Sequence, residues 1–203
     1  MSSFDRSTTY VVTDVLDQPN GYPGWAQDIA RWVRREICRP VPELGRPGAL
    51  CPYVPIAVKR GSLTLIECPL PAEPRHALVS ALADAAGWLL DRLAGADSTA
   101  EIAWMAHIVV FTGLGQHGDI LGNLSTQLRP GFLRNGINLG EFYPDNTATS
   151  VRNSRIRVGR SPWPCVALRH FQPKDETFYH ITPDEEPRYR SPRPAVQGYG
   201  SGR

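Results

Sequence analysis

The chain has 203 residues and a formal net charge of +2, and 41% of its side chains are hydrophobic. This length predicts one domain with a substantial core, and the near-neutral charge argues against a nucleic-acid-binding protein. No apolar run approaches the roughly 20 residues that span a bilayer, and the N-terminus lacks a basic region followed by an apolar stretch. We therefore expect no membrane association, no secretion signal and a cytoplasmic location.

Three segments are predicted from composition. Residues 1–21 are polar and are expected to form an N-terminal extension, and residues 22–186 are expected to form a single domain. Residues 187–203 carry four arginines and no acid among many prolines and glycines, which is typical of a disordered tail.

The first half of the domain predicts two helices and a hairpin. Apolar residues at helical spacing predict a helix over 23–37, which Pro40 ends. Residues 53–59 and 62–67 alternate around a short Arg-Gly turn and predict a β-hairpin. A regular leucine and alanine stripe predicts a helix over about 75–94, closed by a glycine.

The second half predicts three strands and one helix. Residues 102–111 form an apolar run typical of a central strand, and a glycine-rich turn leads into a helix over about 118–128, stopped by Pro130. Residues 137–142 and 165–171 predict two further strands. The interleaved elements predict an α+β fold with a mostly antiparallel sheet covered on one side by helices.

An arginine-rich stretch is the most distinctive feature of the chain. Between Arg129 and His170 there are seven arginines, no lysine and two acids, Glu141 and Asp145. The planar guanidinium group binds carboxylates and phosphates in a bidentate manner. We interpret this stretch as the part that meets a small anionic molecule or cofactor, although a solvated loop at residues 152–160 is an equally good interpretation.

The histidines and cysteines form no local metal motif. The five histidines show no His-x-x-x-His pair, and the four cysteines show no Cys-x-x-Cys spacing, so a zinc site is not favoured. His107 interrupts an apolar strand, and a hydrogen-bonded core histidine is preferred there over a ligand or an acid–base group. His117 lies in a flexible glycine-rich turn, where an active-site role and an exposed loop position are both open.

The last predicted strand places charged groups near the core. Alternation puts Cys165, Ala167 and Arg169 on one face and the apolar residues with His170 on the other. A buried Arg169 needs an anion or an acid partner, and Glu141 on the preceding strand is our candidate for a structural ion pair.

Four segments carry a resemblance to a known group of proteins. They are Leu-Cys-Pro-Tyr-Val-Pro at 50–55, Gly-Glu-Phe-Tyr-Pro at 140–144, Arg-Ser-Pro at 160–162 and Ala-Leu-Arg-His at 167–170. Together they resemble an uncharacterised domain family that is associated with actinomycetes and their secondary-metabolism clusters. The resemblance covers roughly residues 44–180 and brings no established activity.

A weaker resemblance is to the YqcI/YcgG family, which includes haem-dependent N-oxygenases. The shared features are an early Cys-Pro turn, a central apolar strand, and a late strand that ends in an aromatic residue, one further residue and proline before an Arg-rich loop. In those relatives the residue before that proline is histidine, the natural haem ligand, whereas Tyr143 stands there in this chain. Phenolate ligation of haem occurs but is rare.

The resemblance implies a haem-dependent oxidoreductase, an oxygenase acting on an amine or amino-acid-derived substrate in natural-product biosynthesis. The candidate haem axial ligands include His107 and His170, and the candidate catalytic groups are His117, His170 and Tyr143. The candidate residues for haem propionates or a substrate carboxylate are Arg152, Arg155, Arg160 and Arg169.

Two alternatives from other classes stay open. One is a cofactor-free binding or cyclising protein. Its pocket would be shaped by Trp104, Trp163 and Phe142, and an arginine would bind a carboxylate of the ligand. The other is an accessory partner of a biosynthetic enzyme that uses the 187–203 tail as its contact. The expected ligand is a small anionic or amino-acid-like molecule, and a homodimer is one alternative for the oligomeric state.

Overall fold

The computed structural model describes residues 8–97, 99–115, 117–172 and 175. Within these ranges a five-stranded mixed sheet, in the order β1-β2-β3-β7-β4, lies between two groups of helices. The strands are β1 Thr9–Val11, β2 Leu63–Glu67, β3 Ala106–Val110, β4 Ile137–Phe142, β5 Thr149–Ser150, β6 Asn153–Arg157 and β7 Cys165–His170. The α-helices are α1 Val12–Asp17, α2 Gly24–Trp32, α3 Val54–Lys59, α4 Arg75–Ala94, α5 Thr99–Ile102 and α6 Ile120–Arg134.

The sheet is antiparallel except at its centre. β2 and β3 run parallel, connected through α4, whereas β1 pairs antiparallel with β2, and β7 pairs antiparallel with both β3 and β4. The predicted α+β class and the mostly antiparallel sheet are therefore confirmed. β5 and β6 form a separate two-stranded hairpin.

Both faces of the sheet are covered, so the prediction of helices on one side is wrong. The alternating residues of β7 explain this: Val166 and Leu168 pack with α4 and α6, while Cys165 and Ala167 pack with α1 and α2. A strand that is apolar on both faces requires a layer on each side. The alternation predicted for β7 is confirmed.

The predicted hairpin over 53–67 is wrong. Residues Val54–Lys59 form helix α3, and only the second half, Leu63–Glu67, is a strand. Pro55 occupies the first turn of α3, where its missing N–H costs no hydrogen bond. The partner of β2 on this side is β1, in register Tyr10 opposite Leu65.

The N-terminal residues take part in the same core. Residues 9–17, assigned to an extension from sequence, supply the edge strand β1 and helix α1, and Val12 and Val15 are fully buried. The predicted tail at 187–203 lies outside the described residues.

The other predicted elements differ mainly at their ends. The helix over Arg75–Ala94 and the strand Ile137–Phe142 have the predicted bounds. The central strand begins at Ala106 rather than 102, because Thr99–Ile102 forms α5. Helix α6 continues past Pro130 to Arg134.

Candidate functional site

A cleft of about 400 Å³ lies where the end of α2 faces the chain that returns from the β5–β6 hairpin. We call it the arginine cleft. It combines an apolar wall with charged side chains at its rim. Its lining residues are Trp32, Glu36, Ile37, Leu50, Pro144, Arg157, Val158, Arg160 and Ser161.

The first wall comes from a change in helix type. Helix α2 buries Ile29 and Ala30 against the sheet and then widens into a π-helical turn over Val33–Ile37, where the Cys38 N–H donates to the Val33 carbonyl at 2.9 Å. Such turns recur at functional sites. Here the turn presents Glu36 and Ile37 to the cleft.

Aromatic packing supports this wall. Trp32 is half-buried and meets the ring of Phe142 edge-on at a centroid distance of 5.3 Å. Nearby, Trp163 donates its indole N–H to Asp28 Oδ2 of α2 at 3.1 Å. These contacts tie α2 to the ends of β4 and β7 and hold the apolar side of the cleft in place.

The rim carries two cations and one anion. Arg157 and Arg160 are exposed, and neither makes an ion pair among the described residues. Glu36 is also exposed and lies 4.0 Å from the Arg39 guanidinium, a loose surface pair of little energetic weight. The cleft therefore offers guanidinium groups and a carboxylate that remain available to a ligand.

A buried asparagine fixes the arginine-bearing chain. Asn146 accepts the Ala148 N–H at 2.8 Å, and its side chain lies so close to Gly159 that a Cβ on that glycine would collide with it. The Tyr143 N–H donates to the Gly159 carbonyl at 3.1 Å. Gly159 thus keeps the turn between Arg157 and Arg160 against the end of β4.

A second, smaller cleft of about 150 Å³ lies beside the first and is acidic. It is lined by Gly118, Asp119, Tyr143, Pro144 and Asp145. Burial raises the pKa of the Tyr143 phenol, and the negative charges of Glu141 and Asp119 raise it further. Tyr143 is therefore a neutral phenol at physiological pH.

His107 is a fully buried member of a hydrogen-bond network below α4. Its Nδ1 lies 3.3 Å from the Ala85 carbonyl, and its Nε2 lies 3.3 Å from the Arg92 guanidinium. Trp88 stacks on the ring at 4.5 Å, and Arg92 also donates to Thr64 Oγ1 at 3.0 Å. Burial and then the charge of Arg92 lower the pKa of His107 to about 3, so the ring is neutral.

Arg169 is part of a buried ion pair, but its partner is not Glu141. Arg169 donates to Asp175 Oδ2 at 2.7 Å, while Glu141 accepts from Arg129 at 2.9 Å. Asp175 is fully buried, and the Arg169 guanidinium stacks over Tyr53 at 4.6 Å. Burial by itself lowers the pKa of Arg169, but the hydrogen bonds and charge of Asp175 outweigh it and the net shift is upward.

The structure separates the sequence-predicted site residues. Arg160 lines the arginine cleft, whereas Arg152 and Arg155 are exposed on the hairpin and do not line it, and Arg169 lies at the far end of β7. Trp104 packs on Tyr53 at that same far end, away from Phe142 and Trp163. The single pocket predicted from these three aromatic residues is therefore not formed.

The candidate haem ligands do not share a site. His117 is exposed, and half-buried His170 has its Nδ1 3.2 Å from Gln172 Nε2 at the end of β7 opposite Tyr143. Both nitrogens of His107 are hydrogen-bonded, and neither cleft is lined by a histidine. Among the described residues no group of three or more His, Cys, Asp or Glu is placed to hold a metal ion. Neither of these two clefts therefore presents a histidine to a haem, and haem binding and the catalytic roles of these residues stay predictions.

The sequence analysis did not predict the residues that α2 and the π-helical turn contribute to the cleft. Trp32, Glu36 and Ile37 were assigned only to a core helix, although Glu36 is the one acid among four arginines from Arg31 to Arg39. That isolated acid is the signal that the sequence offered. Glu36 and Arg157 line the same cleft only in the folded chain, which no local pattern reports.

The comparisons with known proteins give a family and no activity. A family model described as Domain of unknown function (DUF6875) matches residues 26–193. No curated protein and no solved structure matches the chain. In the described part of the chain, no helix has the length and apolar character that a bilayer crossing requires.

Proposed function

The chain belongs to the family described as Domain of unknown function (DUF6875), and on that premise we propose that it binds a small amino-acid-like ligand in the arginine cleft. The observation that supports this is an apolar wall flanked by two unpaired guanidinium groups and a loosely paired carboxylate. The family description states no activity.

The two arginines suit a carboxylate. Arg157 and Arg160 approach the same cleft from either side of Gly159 and have no acidic partner among the described residues. A guanidinium group binds a carboxylate through two parallel N–H···O bonds, which a lysine cannot reproduce. An anionic group of the ligand at this position would satisfy both cations.

Glu36 suits the ammonium group of the same ligand. It is the acidic side chain that lines the cleft, to which it is supplied by the π-helical turn. Trp32, Ile37 and Leu50 provide an apolar surface for a side chain between the two charged ends. A cavity of about 400 Å³ lies within the usual range for small-ligand sites, roughly 300–1,000 Å³.

This proposal follows the cofactor-free alternative rather than the haem-dependent oxygenase. Neither cleft is lined by a histidine, so we derive no step through haem. The cytoplasmic location and the role in natural-product biosynthesis that the sequence suggests belong to this proposal.

The test compares three probes that differ by one charged group. L-phenylalanine, 3-phenylpropionate and 2-phenylethylamine are titrated calorimetrically into the protein, and L-phenylalanine is expected to bind tightest. Arg160→Gln should lower the affinity of the two probes that carry a carboxylate about tenfold or more. The reason is that a hydrogen bond to a charged group contributes about 1.5–3 kcal/mol. Glu36→Gln should lower the affinity of only the two probes that carry an ammonium group.

Arg155→Gln is the matched control, because Arg155 is on the same hairpin but does not line the cleft. It should leave all three affinities unchanged. The proposal fails if none of the probes binds at millimolar concentration, or if Arg155→Gln weakens binding as much as Arg160→Gln.

A further inference from the structure

The loop that follows the π-helical turn brings two cysteines together. Residues Pro40 and Ala49 form an isolated antiparallel bridge. Two hydrogen bonds flank it, from the Val41 N–H to the Gly48 carbonyl at 3.2 Å and from the Leu50 N–H to the Arg39 carbonyl at 3.1 Å. Because these bonds lie on either side of the bridge, Pro40 and Ala49 are a non-hydrogen-bonded pair.

The contacts beyond this bridge bring Cys38 near Cys51. Cys38 ends the π-helical turn with helical backbone angles (φ −83°, ψ −10°), so the bridge does not continue as a β-ribbon to these two residues. The Cys38 and Cys51 thiols interact electrostatically, which shows that the two side chains lie near each other. The Cys51 N–H donates to the Ile37 carbonyl at 3.3 Å and keeps the two segments together at this point.

The surroundings of this pair differ from those of the other cysteines. Cys38 and Cys51 are free thiols and only partly buried, whereas Cys68 and Cys165 are fully buried in the core. Burial, followed by the nearby Cys51, raises the pKa of Cys38 to about 11. Cys51 also interacts electrostatically with the Arg169 guanidinium.

We propose that Cys38 and Cys51 are a redox-active pair that forms a reversible intramolecular disulfide with a low-molecular-weight disulfide as oxidant. Cys51 loses its proton and attacks one sulfur of the oxidant, which forms a mixed disulfide. The other half of the oxidant leaves as a thiolate and takes up that proton. Cys38 then loses its proton and attacks Cys51 Sγ, which closes the Sγ–Sγ bond and releases the second thiol. Two electrons and two protons pass from the protein to the oxidant.

The disulfide would act on the wall of the arginine cleft. Ile37 and Leu50 precede the two cysteines directly, and both line the cleft. Closing the 38–51 loop would fix the spacing between these two apolar side chains. This consequence rests on the proposed function, whereas the formation of the disulfide does not.

The experiment exposes the full chain to glutathione disulfide in a glutathione redox buffer and then counts thiols and measures the intact mass. The four thiols of the reduced protein should fall to two, with a mass two hydrogens lower, and the melting temperature should rise by about 5–10 °C. Peptide mapping should find the Cys38–Cys51 link. In Cys38→Ser the reaction should stop with one glutathionyl group on Cys51.

Cys68→Ala is the control and should still lose two thiols, since Cys68 is buried on the other face of the sheet. The proposal is overturned if the folded protein keeps all four thiols under excess glutathione disulfide, or if mapping finds a link that involves Cys68 or Cys165. Titration of L-phenylalanine into the oxidised and reduced proteins then tests the coupling separately. A disulfide that forms without binding of that probe leaves the redox pair intact and contradicts only the proposed function.

Discussion

His107 should make the stability of this protein depend on pH in a way that one substitution can isolate. In the unfolded chain the imidazole binds a proton below about pH 6.5, but in the folded protein its pKa is lowered to about 3. Unfolding therefore takes up a proton between these values, and the contribution of neutral His107 is fully present above pH 6.5 and lost as the pH falls toward 3. The linkage relation gives a loss of about 2 kcal/mol between pH 8 and pH 5.

The informative variant is His107→Gln. Its amide can donate to the Ala85 carbonyl and accept from Arg92 without titrating, although it gives up the stacking on Trp88. We expect a lower free energy of unfolding at pH 8 and a flatter decline toward pH 5 than in the wild type.

Urea denaturation followed by tryptophan fluorescence at pH 8, 7, 6 and 5 measures the difference between the two slopes. His117→Gln reports the effect of the same substitution at an exposed site. Equal losses of unfolding free energy in wild type and His107→Gln between pH 8 and pH 5 would refute the buried neutral imidazole.

Two further substitutions test other buried contacts through the same denaturation assay. Asp175→Ala leaves the Arg169 guanidinium without its buried carboxylate and should cost about 3–5 kcal/mol; a loss below about 1 kcal/mol would mean that the pair is not buried. Gly113→Ala should cost about 2–3 kcal/mol, because a Cβ there collides with the backbone carbonyls of residues 69–70. Gly87→Ala is its control, since the space around Gly87 in α4 is open, and a gain of about 0.5–1 kcal/mol is expected.

The elements that the sequence predicted well are those whose burial is periodic. In α4 the stripe of Leu78, Leu82, Ala85, Leu89 and Leu93 is entirely buried, so the pattern and the packing coincide. The same agreement holds for the alternation in β7. Local pattern suffices where one element presents one consistent surface to the core.

The failures occur where packing overrides a local preference. The β-branched residues of 53–59 favour a strand, but the segment folds as a helix that buries Ala57 against the sheet. Pro130 removes one hydrogen bond from α6, yet buried Leu133 keeps the last turn helical. Neither outcome is visible without the rest of the fold.

The sequence predicted one part of the candidate site, the arginines, but not the residues on the opposite wall. An arginine-rich segment indicated anion binding, and Arg160 does line a cleft. The arginines were not ranked, because local alternation does not separate them: Arg155 and Arg157 fall on the same face of β6, yet only Arg157 lines the cleft. The contribution of Trp32 and Glu36 comes from a segment more than a hundred residues away in the sequence, and only the tertiary fold brings it to the arginines.

The pairing of the short strand β1 with β2 decides where a recombinant form of this protein should begin. The family match begins at residue 26, after β1 and α1, although Thr9–Val11 pairs along β2 and covers its outer edge. A recombinant protein cut at residue 26 would leave the outward-facing backbone N–H and C=O groups of residues 64–66 unpaired on an apolar strand. Such an edge recruits a strand from another copy, so that protein is expected to aggregate, and expression should start no later than residue 8.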